Sequence, residues 1–202
     1  MTDKNANKYW DEEWKRRDKG RYTSCNAGKF EFINRQLSGR AAHIAPLKTL
    51  EVGCGSCLHI KTLGFDHPEW KENYIGIDES PQAIEIANRW GINAEVASIY
   101  NFNPETSISP LLRKFELFLF LDVLEHIEHH DIVAEQIKRL SADRFCIIGN
   151  VPLYLSHVED DGYEREMNVN VIADFIRMVG IKKFAHIVYG INGLPYMWFE
   201  AQ

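Results

Sequence analysis

The sequence predicts a doubly wound α/β domain, and three observations carry that prediction. Short apolar runs alternate with amphipathic stretches along most of the chain. The run Phe115 to Leu121 is apolar at nearly every position, as a strand covered on both faces must be. A glycine turn, Gly53-Cys54-Gly55, closes the first apolar run. Alternation of this kind gives a parallel sheet with helices on both faces.

Residues 1–44 read as a helical leader ahead of a core domain at 45–202. The leader is rich in charge and carries Tyr9, Trp10, Trp14, Tyr22, Phe30 and Phe32. Trp10 and Trp14 are four apart and share one helical face, and Phe30, Ile33 and Leu37 continue a helical stripe. In the core domain, Leu47 to Val52 is the first strand and Tyr74 to Ile77, ending at Asp78, the second. Ser80-Pro81 supplies an N-cap and a proline at the first helical position. The helix that follows carries Ala83, Ala87 and Trp90 on one side and stops at Gly91. Ala94 to Ala97 and Phe115 to Leu121 are the next strands. Ile132, Val133, Gln136, Ile137 and Leu140 have helical spacing, Phe145 to Ile148 is a strand, and Val171, Ile172, Phe175, Ile176 and Val179 form a stripe that ends at Gly180. Two last strands, Phe184 to Tyr189 and Tyr196 to Phe199, flank Gly190-Ile191-Asn192-Gly193 as a hairpin, so the final strand runs antiparallel.

A chain of 202 residues fits one domain with a real core. Its 45% hydrophobic and 26% charged content is globular usage and argues against disorder. The net charge of -6 argues against a nucleic-acid partner, which calls for a basic field. No run is apolar and long enough to span a bilayer, and the N-terminus lacks the apolar core of a signal peptide, so a cytoplasmic location is expected. Cys25, Cys54, Cys57 and Cys146 are then expected as reduced thiols.

The chemistry concentrates at two strand ends. Glu51 stands just before Gly53 and Gly55, whose backbone lets a ligand approach closely. Asp78 ends the next strand, where a carboxylate can accept hydrogen bonds from both hydroxyls of a ribose. A dinucleotide needs G-x-G-x-x-G, and Leu58 stands at the last glycine position. S-adenosylmethionine has no phosphate, and its cationic amino acid end suits Glu51.

Glu51-Val52-Gly53-Cys54-Gly55-Ser56-Cys57 resembles the first motif of the class I S-adenosylmethionine-dependent methyltransferases, with Cys57 at the variable third glycine position. Ile75-Gly76-Ile77-Asp78-Glu79-Ser80 resembles their second-strand motif, and Ala97-Ser98 falls where their third strand meets the adenine. Leu121-Asp122-Val123-Leu124-Glu125-His126-Ile127 is similar to the stretch after the fourth strand in the small-molecule branch that includes quinone-biosynthesis methyltransferases. The resemblance implies a Rossmann-like seven-stranded sheet with the last strand antiparallel. It also implies methyl transfer from S-adenosylmethionine, with S-adenosylhomocysteine as product, to an oxygen or nitrogen of a small-molecule acceptor. The cofactor residues it implies are Glu51, Gly53, Gly55, Asp78, Glu79, Ala97, Ser98, Leu121 and Asp122, with Trp14 as part of a lid.

Several stretches keep two readings. His126 is a general base, or part of a polar loop at the mouth of the site. Asp122, Glu125 and His126 resemble a divalent-metal site of some quinone-pathway relatives; the expectation here is no metal. Cys54 and Cys57 form C-x-x-C but lack the second pair that a zinc site needs, and they occupy the glycine loop. Asn150-Val151-Pro152-Leu153-Tyr154 resembles the Asn-Pro-Pro-Tyr motif of amino-directed DNA methyltransferases, but it follows the fifth strand rather than the fourth. Tyr154 and His157, in a polar insert with Glu159, Asp160, Asp161 and Tyr163, line the acceptor pocket or belong to a solvated loop. Two other functions remain: a non-catalytic cofactor-binding relative or partner subunit of a methyltransferase complex, and, more remotely, a nicotinamide-dependent oxidoreductase. Monomer and homodimer both stay open.

Overall fold

In a computed structural model of the chain, the described residues are 11–12, 14–15, 24–64, 67–106, 114–153, 166–191 and 193–202. Tyr9, Trp10, Tyr22, Tyr154, His157, Glu159, Asp160, Asp161 and Tyr163 lie outside them, as does the side chain of Cys25. The elements are α1 (Ser24–Ser38), α2 (Ala41–Ile44), β1 (Thr49–Val52), α3 (Leu58–Leu63), α4 (Glu69–Asn73), β2 (Tyr74–Asp78), α5 (Pro81–Arg89), β3 (Ala94–Val96), β4 (Phe115–Leu121), a 3-10 turn (Leu124–His126), α6 (His130–Leu140), β5 (Ser141–Pro152), α7 (Val169–Val179), β6 (Phe184–Ile191) and β7 (Leu194–Ala201).

The strands make one seven-stranded sheet in the order β3-β2-β1-β4-β5-β7-β6. The first five lie parallel to one another, and β7 runs antiparallel to both β5 and β6. This is the Rossmann-like doubly wound arrangement expected from the sequence. The order reverses between β1 and β4, the switch point where such sheets open a crevice at their carboxyl edge.

β4 shows why the sheet sits at the centre. Phe118 and Phe120 join the cluster under α6 and α7, while Leu117, Leu119 and Leu121 join the cluster that includes residues of α1 to α5. Both faces are therefore covered, and alternate residues fill two cores. Local signals fix the helix ends. Ser80 Oγ accepts from Ala83 N at 3.2 Å, with Pro81 next in line. Asn168 Oδ1 accepts from the N–H groups of Asn170 and Val171, and Gly180 ends α7 in the left-handed region at φ 92°. In α6, Val133, Ala134, Ile137 and Leu140 are buried, whereas Ile132 faces solvent.

Several strand limits differ from those expected: β1 starts at Thr49 rather than Leu47, and β3 ends at Val96 rather than Ala97. β5 spans Ser141–Pro152 rather than 145–148, because α6 runs straight into it at Ser141. Its charged start, Asp143-Arg144, is exposed, so the apolar run alone understated its length. The hairpin strands also run on to the pair Ile191↔Leu194, and Gly193 adopts φ 80° in the short turn between them.

Candidate functional site

The loop after β1 is built from left-handed residues: Gly53 at φ 64°, Gly55 at φ 52° and Cys57 at φ 55°. A Cβ on Gly53 would lie 2.4 Å from Val123 Cγ2, and one on Gly55 would lie 2.3 Å from the Trp14 indole. Glycine is thus required twice, for the turn and for close approach. Asp78 ties this loop to the end of β2. Its Oδ2 accepts from Gly55 N at 2.8 Å, and its Oδ1 accepts from Ser80 N at 2.8 Å. Each oxygen keeps lone-pair capacity for a further donor. Burial pushes the carboxyl up to about 6, against the pull of the two backbone N–H bonds.

Glu51 is buried in β1, where Tyr74 Oη donates to its Oε2 at 2.5 Å. Burial pushes its carboxyl up to about 7, although the Tyr74 bond opposes the shift. The Tyr74 Oη also lies 3.3 Å from Cys57 Sγ, whose S–H can donate back to it, so one phenol holds both the acid and the loop. Cys54 and Cys57 are buried free thiols, and burial raises the Cys54 thiol well above its ordinary value. A raised, buried thiol is a poor nucleophile, which fits packing in the loop better than redox chemistry.

At the end of β3, Ala97 N bonds Asp78 O at 3.1 Å, and Ser98 is buried with its Oγ lacking a hydrogen-bond partner. Such an orphan calls for an explanation, and a ligand group is one. Glu79 is half-buried beside Asp78 and, with Asp11, pushes its carboxyl up further. From the leader, Asp11 Oδ1 accepts from Ser80 Oγ at 2.6 Å and from Gln82 N at 3.4 Å. Asp11 and Trp14 thus bridge from the start of α5 to the glycine loop.

Past the switch point, Leu121 is buried and Asp122 takes a left-handed backbone, φ 56°, rare for a residue with a side chain. Asp122 Oδ2 lies 2.9 Å from Lys29 Nζ, and its Oδ1 accepts from Asn150 Nδ2 at 2.7 Å. Asn150, wholly buried, accepts in turn from Tyr189 Oη at 2.5 Å. Both the oxygen and the nitrogen of that amide are thus engaged. His126 lies in the 3-10 turn with its Nε2 4.0 Å from Glu125 Oε1. Among the described residues no three His, Cys, Asp or Glu side chains are grouped to hold a metal ion, so Asp122, Glu125 and His126 do not converge. The neighbouring His130 is buried, and its Nε2 donates to Leu124 O at 2.9 Å, pinning the turn.

Glu51, Gly53, Gly55, Asp78 and Trp14 come together around one loop, and Ala97 joins them through its backbone bond to Asp78. Lys29, Tyr74, Tyr189 and Asp11 were not singled out from the sequence. Each reaches its partners across 17 to 93 positions, as in Tyr74 to Cys57 and Lys29 to Asp122, and carries no local motif.

A parallel sheet with a glycine loop at its switch point and a carboxylate closing the next strand defines an α/β enzyme domain that takes a ribose-bearing ligand at its carboxyl edge. The sequence profile of a methyltransferase-domain family matches residues 18–187, and the chain belongs to that family. No curated protein matches it by sequence. Among solved structures it is similar to the DhpI complex with S-adenosylhomocysteine (SAH): TM-score 0.68, 13% identity, covering 98% of this chain and 95% of that one. It is similar to magnesium protoporphyrin IX methyltransferase (ChlM) from Synechocystis PCC 6803 with bound SAH, at TM-score 0.67 and 14% identity, covering 96% of each chain. It is also similar to the [4+2]-cyclase SpnF, at TM-score 0.66 and 11% identity, covering 84% of this chain and 78% of that one. At such identities the likeness is one of fold.

Proposed function

We propose that this protein transfers a methyl group from S-adenosylmethionine to an oxygen or nitrogen of a small-molecule acceptor and releases S-adenosylhomocysteine. The observation that carries the reading is Asp78, joined to the Gly53–Gly55 loop by a 2.8 Å bond at the switch point of a methyltransferase-family sheet. Asp78 would hold the ribose, Ser98 with Ala97 would meet the adenine, and Glu51 with Gly53, Gly55, Leu121 and Asp122 would hold the amino acid end. The orphan Ser98 Oγ supports this fit, because a purine edge offers the missing partner.

When bound, the cofactor supplies an electrophilic methyl on a sulfonium. The chain's own residues supply alignment and exclusion of water. Asp11 and Trp14 would act as a lid, a role supported by their contacts with Ser80 and Gly55. His126 stays the candidate base from the sequence, with Glu125 beside it. Tyr154 and His157 stay candidates for the acceptor pocket. That SpnF, a [4+2]-cyclase, shares the fold keeps a second reading open, in which the cofactor is bound but methyl transfer is not the activity.

Calorimetric titration with S-adenosylmethionine, S-adenosylhomocysteine, NADH and NADPH is the test. Binding of the first two alone supports the cofactor, and transfer of a labelled methyl to any member of an acceptor panel supports the activity. Binding of neither sulfur ligand overturns the proposal.

A further inference from the structure

Most of the proposed cofactor residues occupy the β1, β2 and β3 end of the carboxyl edge. The other end, above β4, β5, β7 and β6, holds a polar chain that shares only Asp122 with them. Tyr189 of β6 donates to Asn150 of β5, Asn150 donates to Asp122 after β4, and Asp122 pairs with Lys29 of α1. The Lys29 ammonium also lies 5.4 Å from the centre of the Tyr196 ring on β7. Phe32 stacks on Tyr189 at 3.6 Å and meets the Trp198 edge at 6.4 Å, so aromatic faces surround the chain. The cluster adjoins the cofactor loop, since Val123, next to Asp122, fills the space that Gly53 leaves open. It is also reachable, because the Lys29 and Asp122 side chains keep 21% and 23% of their exposure.

The donors decide what such a place can hold. Both Asp122 oxygens are engaged, one by Lys29 and one by Asn150. A lysine ammonium carries three N–H donors. Asp122 takes one at 2.9 Å, and no other hydrogen-bond acceptor for Lys29 lies among the described residues. The free capacity at this spot is therefore that of a cationic donor, partly withdrawn from water and framed by aromatic rings.

We infer that Lys29, held in place by Asp122, Asn150 and Tyr189, is the acceptor-binding residue, and that it takes an acceptor whose methylated atom is an ionised oxygen, as in a phenol, an enol or a carboxylic acid. This rests on the methyltransferase reading above and narrows it from oxygen or nitrogen to oxygen. An amine acceptor gains positive charge on transfer, and a fixed ammonium beside it opposes that change. An oxyanion is drawn to the ammonium and kept ionised by it. Its electron pair forms the new C–O bond, the pair of the broken C–S bond goes to sulfur, and no proton has to leave at that moment. Burial alone pulls the Lys29 ammonium down, but Asp122, Tyr196 and Glu125 together outweigh it and hold Lys29 above its ordinary value, so it keeps its charge.

The test uses the full chain saturated with S-adenosylhomocysteine, and 4-nitrophenol as the probe, because its phenolate absorbs visible light. Titratable and charged groups around Lys29 are Asp122, Glu125, His59, Tyr189 and Tyr196, so each variant is compared with wild type at one pH below the probe's own pKa. Bound probe should show a phenolate-to-phenol ratio raised roughly tenfold over free probe, the size of effect expected from one adjacent opposite charge. Lys29→Arg should keep the enrichment. Lys29→Gln, which removes the ammonium but keeps a neutral N–H donor facing Asp122, should abolish it while S-adenosylhomocysteine still binds. Probe that does not bind wild type, binds without enrichment, or stays enriched in Lys29→Gln overturns the inference. Failure of S-adenosylhomocysteine to bind wild type strikes the cofactor reading instead, so the two failures are distinct.

Discussion

Glu51 and Asp78 are both carboxyls that the fold leaves easier to protonate than in free solution, at about 7 and about 6. Their charged forms are the ones a cationic ligand needs. Affinity for S-adenosylmethionine is therefore expected to rise as pH climbs through about 6 to 7, measured by titration calorimetry across pH 5 to 8. Glu51→Gln should flatten the upper part of that rise, and Tyr74→Phe, which removes the bond opposing the shift, should move it to higher pH. For Asp78→Ala, loss of hydrogen bonds to a charged group costs about 1.5–3 kcal/mol, or roughly tenfold to hundredfold in affinity. Unchanged binding by the same calorimetry would remove Asp78 from the ribose. At this scale the sequence was most informative where an atom sits in a short motif, as with Gly53, Gly55 and Asp78. It was silent on Lys29 and Tyr74, whose partners are fixed only when the sheet brings α1 over β4 and β2 beside β1.

Elements were legible where one period or one cap dominates. Ser80-Pro81 starts α5, and the apolar stripe and Gly180 delimit α7, because local chemistry alone sets those ends. The apolar run understates β5, since before Cys146 only Ser141 pairs with β4, across a register shift, and Asp143-Arg144 carry no apolar signal. The same strand carries a packing device that no propensity reveals. Gly149 lies opposite Phe199, and a Cβ there would come within 2.2 Å of the Phe199 ring and 3.0 Å of Phe120 O. Gly149→Ala should destabilise the fold by about 1–3 kcal/mol through overpacking, read by chemical denaturation. A denaturation midpoint equal to wild type would mean that Phe199 moves aside freely.

For the whole molecule, stability and pH are tied through groups in opposite senses. Glu51 takes up protons on folding, so its contribution is complete below its ordinary value of 4.5 and is lost as pH rises through about 7. His59, whose ring is pushed down to about 3 by burial and by Lys29, contributes above its ordinary 6.5 and loses that contribution as pH falls toward 3. The difference in melting temperature between wild type and Glu51→Gln isolates the first contribution, and it should shift in favour of the variant between pH 5 and 8. A constant difference across that range would mean Glu51 is ionised throughout.

The leader has a consequence for timing. Asp11 is bound to Ser80, and the Trp14 indole lies against Gly55, the same backbone the cofactor would need to approach. If entry waits for those contacts to part, the observed association rate in a stopped-flow experiment should level off at high S-adenosylmethionine concentration instead of climbing in proportion. The plateau would equal the opening rate of the leader. Trp14→Ala should raise it and hasten dissociation as well, so residence time on the enzyme becomes a property of a segment that lends none of its described residues to the sheet.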